Sequence, residues 1–321
     1  MYEPSYFEAL KHSFQLVWKN KSLWVFGILS ALFVSPFGLG GFWGQFTLTS
    51  NEASKIAYFP LPAFFQALSH SDPANFVSLV WLLEIILAVF IIVVFISVCA
   101  QTSLIINACE YYKKKTHSAL SATWHKSYKY FWKILSFDLI RKFILALLLI
   151  SAAGLWIIAP ENSFWSSLYL ISSFVVLVLI SFIVSSALTY ASGYAVIEGK
   201  SVWQSLKKGF LLLREHFLVS LEISLVMMLL DLVLAAFVST IIILSFIPAT
   251  LIWFVAGLFS SITLFTIALV IGLLTMIVLV VLIGGFYNAF NTGTWMYLFM
   301  KMHHVGILSR IGHIFNKIFQ R

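Results

Sequence analysis

The sequence is short of charge. Only 10% of its 321 residues are Asp, Glu, Lys or Arg, against 61% hydrophobic residues and a mean hydropathy of +0.99. A soluble domain carries about 25% charged residues. The deficit leaves too few charges to cover a water-facing surface, which excludes a soluble globular protein. No polar stretch is long enough to fold a separate soluble domain. Cysteine is nearly absent as well. Cys99 and Cys109 fall in one expected helix, separated by about 15 Å along its axis, so they cannot pair with each other, and their spacing fits no metal motif. Acidic residues are fewer than basic ones, 12 against 20, for a net charge of +8. The basic residues sit beside apolar runs rather than on a soluble face, so the positive-inside rule accounts for them and nucleic acid does not.

Chemistry-bearing motifs are missing too. There is no P-loop, no dinucleotide fingerprint, and no Ser/His/Asp constellation with a nucleophile elbow. Among eight histidines, His303-His304 is the close pair, and it has no acid or cysteine at ligand spacing. The expectation is a protein without a catalytic site, cofactor or metal.

What is present is a repeated device. The stretch from Ser201 to Phe217 reads SVWQSLKKGFLLLREHF. Ser201 with Gln204 reads as a capping box, each side chain satisfying a free backbone N–H at a helix start. Trp203, Leu206, Phe210, Leu213 and Phe217 recur at helical steps and share one face, while Lys207, Lys208, Arg214 and Glu215 lie mostly off it. This is the pattern of a helix lying flat at a membrane surface. The same device opens the chain over Ser5 to Leu23, where Ser5 and Glu8 repeat the capping box. At an offset of 196 residues Leu10 matches Leu206, Lys11 matches Lys207, Phe14 matches Phe210 and Leu16 matches Leu212. A looser copy spans Ser118 to Leu135, with Leu120, Trp124, Tyr128, Phe131 and Leu135 on one face.

The chain therefore reads as one integral membrane domain, 1–321, built from three units (1–115, 116–199, 200–300) and a basic amphipathic tail (301–321). Each unit is an interfacial helix followed by a transmembrane hairpin. About six spans are expected, near 22–41, 76–112, 135–158, 164–196, 218–247 and 261–286, the last continuing toward Tyr297. The first apolar run has no Ala-x-Ala site and reads as a retained span rather than a signal peptide. A mixed loop over 42–75, with a short helix near 62–70, separates the first two spans, and 159–163 is a tight outer turn. The segment 249–260 reads either as a re-entrant piece or as part of a span. In this arrangement every Lys and Arg but Lys55 lies on the amino-terminal side. The positive-inside rule then places both termini in the cytoplasm, with the inner membrane as location.

Two polar residues stand out inside the spans. Asp231 lies near the middle of the fifth span, where an ionised carboxylate costs several kcal/mol unless partnered. Glu222 lies one turn inside the inner interface. They are the candidate intramembrane polar site, read either as helix-packing groups or as an ion or substrate contact. Asp138 with Arg141 and Lys142 has the spacing of a local ion pair. Lys11, Lys207, Lys208 and Arg214 are the candidate contacts for anionic lipid headgroups, worth about 1 kcal/mol per basic residue near the surface.

The turn GYAVIEGKSVWQSLKKGFLLLREHF and the opening YFEALKHSFQLVWKNKSLWVFGIL resemble the membrane domain attached to some glycerophosphodiester phosphodiesterases, and related bacterial multi-pass proteins. The catalytic domain of that family has no counterpart here, so the resemblance implies a membrane-embedded helical bundle that handles or senses lipid, and no hydrolase activity. The functional expectation is an all-α polytopic bundle that interacts with lipid or organises the membrane, alone, as a homo-oligomer or with a protein partner. The alternative is a transporter or channel subunit working through Asp231.

Overall fold

The computed structural model describes residues 6–33, 73–114, 120–158, 164–259 and 262–305. They form helices α1 (Tyr6–Lys19), α2 (Ser22–Ala31), α3 (Pro73–Lys114), α4 (Leu120–Ser127), α5 (Phe131–Ile158), α6 (Phe164–Ile197), α7 (Val202–Glu215), α8 (Phe217–Ser245), α9 (Ile247–Leu258) and α10 (Ile262–Val305), with a 3-10 turn at Tyr128–Tyr130. The described residues are 95% helical, with no strand among them. The expected outer loop with its helix near 62–70, the turn at 159–163 and the tail beyond 305 lie outside them.

Four segments are long and apolar enough to cross a membrane: Val80–Lys113, Ile171–Ile197, Phe217–Leu258 and Ile262–His303. They correspond to the second, fourth, fifth and sixth expected spans. Of the first expected span, the described part is α2, ten residues long. The third is α5, which carries Asp138, Arg141 and Lys142 within its first turns. Of segment 249–260, the part through Leu258 is helical. α9 follows α8 through Phe246 alone, whose backbone is itself helical, and Thr250 N–H donates to the Phe246 carbonyl. Pro248 fits because it stands in the first turn, where no intrahelical donor is lost.

The long helices outrun a bilayer. α3 has 42 residues and α10 has 44, about 65 Å at 1.5 Å per residue, against a hydrocarbon core of about 30 Å. Their two halves differ. On α3, every side chain over 80–92 is exposed, and most of α10 over 262–282 is exposed as well. Burial gathers at the other, lysine-rich end, over 98–109 of α3, 190–196 of α6 and 296–302 of α10.

At that end α3, α6 and α10 touch one another and form the centre. α2 lies between α10 and α3, α5 packs on α6 and α3, and α8 packs on α10 while Ser220 bonds Tyr190 of α6 at 2.8 Å. The short helices follow the same rule. α4 packs on α3 and α7 on α6, each on the long helix that precedes it, and α1 packs on α10. The three units thus close into a ring, with the first unit seated against the last.

Small residues set the closest approaches. Gly27 of α2 and Gly285 of α10 meet backbone to backbone, so a Cβ on either would overlap the other helix. Asn288 adds a hydrogen bond to the Gly27 carbonyl at 3.1 Å. Gly209 of α7 sits equally close to α6, where an added Cβ would lie 2.5 Å from the Ala187 carbonyl oxygen. Gly284, one residue before Gly285, faces open space. Gly285→Leu is therefore expected to destabilise by about 1–3 kcal/mol, the usual cost of overpacking, and Gly284→Leu to change little. Thermal unfolding of both variants in detergent checks the contrast, and equal effects would sink it.

Candidate functional site

The three short helices share a pattern of burial that their side chains only partly share. In α1, Ala9, Ser13, Leu16 and Val17 are buried; in α7, at the offset of 196, so are Ser205, Gly209, Leu212 and Leu213. The exposed positions between them also match, Phe7 with Trp203 and Phe14 with Phe210. α4 continues the series, with Thr123 and Ser127 buried and Tyr128 exposed. Thr123 accepts from Asn107 of α3 at 3.2 Å. Small side chains thus contribute to the seam with the long helix, while the large rings stay exposed at its edge, where Phe14 meets Phe286 of α10 and Tyr128 stacks on Phe95 of α3. The face expected from the rings alone needs one correction. Leu213 belongs to the buried seam with Leu212, not to the exposed aromatic face.

The expected headgroup contacts divide accordingly. Lys11, Lys207 and Arg214 are exposed, and the Lys207 ammonium lies 5.6 Å from the Trp203 ring. Lys208 is engaged differently. It bonds Glu198 at 3.1 Å and faces the Tyr194 ring at 5.3 Å. The Ser201 hydroxyl accepts from the Gln204 N–H, as the capping pattern requires. The turn before it reverses at Gly199, whose φ of 68° is left-handed and favours glycine. Lys133 of α5 holds that turn by donating to the carbonyls of Gly199 and Lys200 at 2.8 and 2.7 Å.

Where each short helix meets the end of its long helix, the ring of units creates three comparable junctions. At the α6–α7–α10 junction, Glu198 gathers Lys200 at 2.5 Å, Lys208 at 3.1 Å and His303 at 3.3 Å. Tyr194 stacks edgewise on Phe299 and His303 beside it. At the α10–α1–α3 junction the His12 ring lies 4.8 Å from Tyr111 and 4.6 Å from Tyr297, and Lys301 bonds Glu8 at 3.1 Å.

The α3–α4–α6 junction is open. It holds a cavity of about 460 Å³ whose lining includes the apolar Ile106, Cys109, Val196 and Ile197, the ring of Tyr130, and the polar Glu110, Lys113, His125, Lys126 and Lys129. Lys126 bonds Glu110 at 3.0 Å, as Lys208 bonds Glu198 in the neighbouring junction. Lys113 and Lys129 have no carboxylate partner among the described residues. Sequence reasoning read 110–115 only as an inside signal. The cavity needs α4 and the end of α6 to be brought beside it, and spacing along the chain does not report that.

The intramembrane residues do not join this region. Asp231 accepts a hydrogen bond from the Tyr287 hydroxyl, which ties α8 to α10. Glu222 is half-buried and also interacts with its surroundings. Asp138 is 97% buried and bonds Lys142 at 2.9 Å, while Arg141 reaches Thr189 of α6 at 3.2 Å and Lys142 reaches the carbonyl of Phe33, just after α2. That trio links three helices. Cys99 and Cys109 are buried and unpaired with each other. No group of three metal-ligating side chains occurs among the described residues.

Glu198 has a testable electrostatic signature. Burial pushes its carboxyl up, but the bonds and charges of Lys200 and Lys208 outweigh burial and hold it below its ordinary value. A carboxyl so depressed stabilises the folded state at neutral pH and loses that contribution as pH falls through its folded value. The stability difference between wild type and Glu198→Gln, followed by thermal unfolding, is expected to be full above about 4.3, the ordinary glutamate value, and to shrink below it. A difference that does not change across that window would remove the ion cluster from the account. No protein-family model, curated protein or solved structure matches the chain.

Proposed function

We propose that the chain is a six-span, multi-pass protein of the inner membrane, with both termini cytoplasmic, that binds anionic lipid through three amphipathic helices. The observation that carries this reading is the shared exposure of α1 and α7. Each leaves Phe7 and Phe14, or Trp203 and Phe210, exposed, together with Lys11, or Lys207 and Arg214. Rings buried to headgroup depth with cations beside them are the chemistry of an interfacial helix. The distribution of Lys and Arg supports the orientation. The likeness of the 193–217 turn to lipid-handling membrane domains points the same way.

On this reading the protein has no catalytic site of its own and acts by holding or organising lipid, alone, as a homo-oligomer or with a protein partner. The Tyr287 hydrogen bond supports a helix-pairing role for Asp231 rather than the transport alternative. Three lost cations at about 1 kcal/mol each amount to roughly a hundredfold in affinity. Lys11→Gln, Lys207→Gln and Arg214→Gln combined are therefore expected to strip most retained anionic phospholipid from the detergent-purified protein, measured by native mass spectrometry. Lys208 stays unchanged in this variant because it stabilises the fold through Glu198. Equal retention by wild type and variant would reduce these helices to anchors.

A further inference from the structure

The open junction differs from its two counterparts in ways that point to a ligand. All three are built alike, from the lysine-rich end of one long helix, the short helix packed on it and the end of the next long helix. Two are occupied by the protein's own rings and ion pairs. The third keeps a cavity of about 460 Å³. Its lysines are also in excess. The Lys126–Glu110 pair repeats the Lys208–Glu198 pair, so it belongs to the shared construction. Lys129 does not. When Thr123 and Ser127 are set against Ala9 and Ser13, or against Ser205 and Gly209, the counterparts of Lys129 are Gln15 and Leu211. Lys113 likewise stands beyond the Glu110 pair on the last turn of α3.

Lys113 and Lys129, exposed cations with no carboxylate partner among the described residues, add positive charge to a lining that also holds the Lys126–Glu110 pair. Part of the lining is apolar, made by Ile106, Val196 and Ile197. Ile106 and Val196 are fixed by core packing. The site therefore faces an anion with lysines and a hydrocarbon with aliphatic side chains, at the level where the spans end.

We propose that this cavity is a discrete binding site for the phosphoryl group of an anionic membrane lipid, with Lys113 and Lys129 on the phosphoryl oxygens and the acyl-bearing end along Ile106, Val196 and Ile197. The proposal rests on the lipid-binding reading above but assigns a different set of residues. It concerns one bound molecule rather than a loose layer of headgroups. A free phosphate ester shares the phosphoryl chemistry, though not the use of the apolar wall.

The test uses the full-length protein in detergent and two probes, dihexanoyl phosphatidylglycerol and glycerol 3-phosphate, titrated by native mass spectrometry. Three variants are compared: Lys113→Gln with Lys129→Gln; Ile197→Trp, which fills the cavity and leaves its charge intact; and the outer-face variant, with Lys11, Lys207 and Arg214 replaced. Wild type is expected to bind one short-chain lipid saturably, and both cavity variants to bind it at least tenfold more weakly while eluting as folded protein. Loss confined to the outer-face variant would overturn the cavity site and leave the lipid-binding reading standing. Undiminished binding in all three variants would overturn both. Glycerol 3-phosphate bound as tightly as the lipid, and lost in the cavity variants, would retain a phosphoryl site but overturn a lipid as its source. Equal affinity for dihexanoyl phosphatidylcholine would overturn the requirement for an anion.

Discussion

Lipid tails are as apolar as leucine, so burying aliphatic side chains between helices inside a bilayer supplies little driving force. That constraint explains where this protein has a core and where it has none. The half of each long helix away from the lysines exposes most of its apolar side chains, and there α9 packs on α10 through small residues such as Ala249 and Gly272. Where the helices meet closely, the apolar core is joined by backbone contact, as at Gly27 and Gly285, and by polar pairs. Those pairs concentrate toward the lysine-rich end: Ser97 donating to the Ser30 carbonyl, Tyr190 with Ser220, Asn107 with Thr123, and Lys142 spanning Asp138 and the Phe33 carbonyl. Buried polar groups of this kind specify partners because leaving one unpaired costs about 1–3 kcal/mol.

The three-unit ring follows from the same economy of contact. A short helix seated by small residues against a long one satisfies both without a thick hydrophobic layer. α1, α4 and α7 use Ala9 and Ser13, Thr123 and Ser127, and Ser205 and Gly209 for the same purpose. The junctions they form keep a common plan while their side chains diverge. That is how two can be closed by rings and ion pairs while the third stays hollow.

Much of the architecture was legible in the residues. Long apolar runs ended by lysines marked α3 and α10, and capping and periodicity marked α7. The offset of 196 between α1 and α7 was readable because Leu10, Lys11 and Phe14 have near-identical counterparts. The register of the third copy was harder to read, since Thr123 replaces Ala9 and, at the same offset, Trp124 and His125 replace Leu10 and Lys11, leaving Ser127 as the shared seam residue. The buried seam was also obscured. Ser205 and Gly209 carry no hydrophobic signal, so the rings of Trp203 and Phe210 dominate the pattern. Lys208 reads from spacing like its exposed neighbour Lys207, and only the fold reveals Glu198 beneath it. The same holds for Tyr287, which lies far from Asp231 in the chain, and for the cavity, whose walls come from three separate helices.

Ring closure has a consequence for the order in which the chain is made. α4 and α7 each dock on a helix already synthesised when they emerge. α1 docks on α10, the last long helix to appear, and Gly27 of α2 waits for Gly285 on that same helix. Throughout translation the first unit must therefore hold its seam, Ala9, Ser13 and Gly27, open to the bilayer or to whatever shields nascent spans there. A chain released before α10 would leave that seam unmet. Synthesis of α10 is thus the event that locks α1, and a copy lacking α10 carries an unclosed edge by which it can be distinguished.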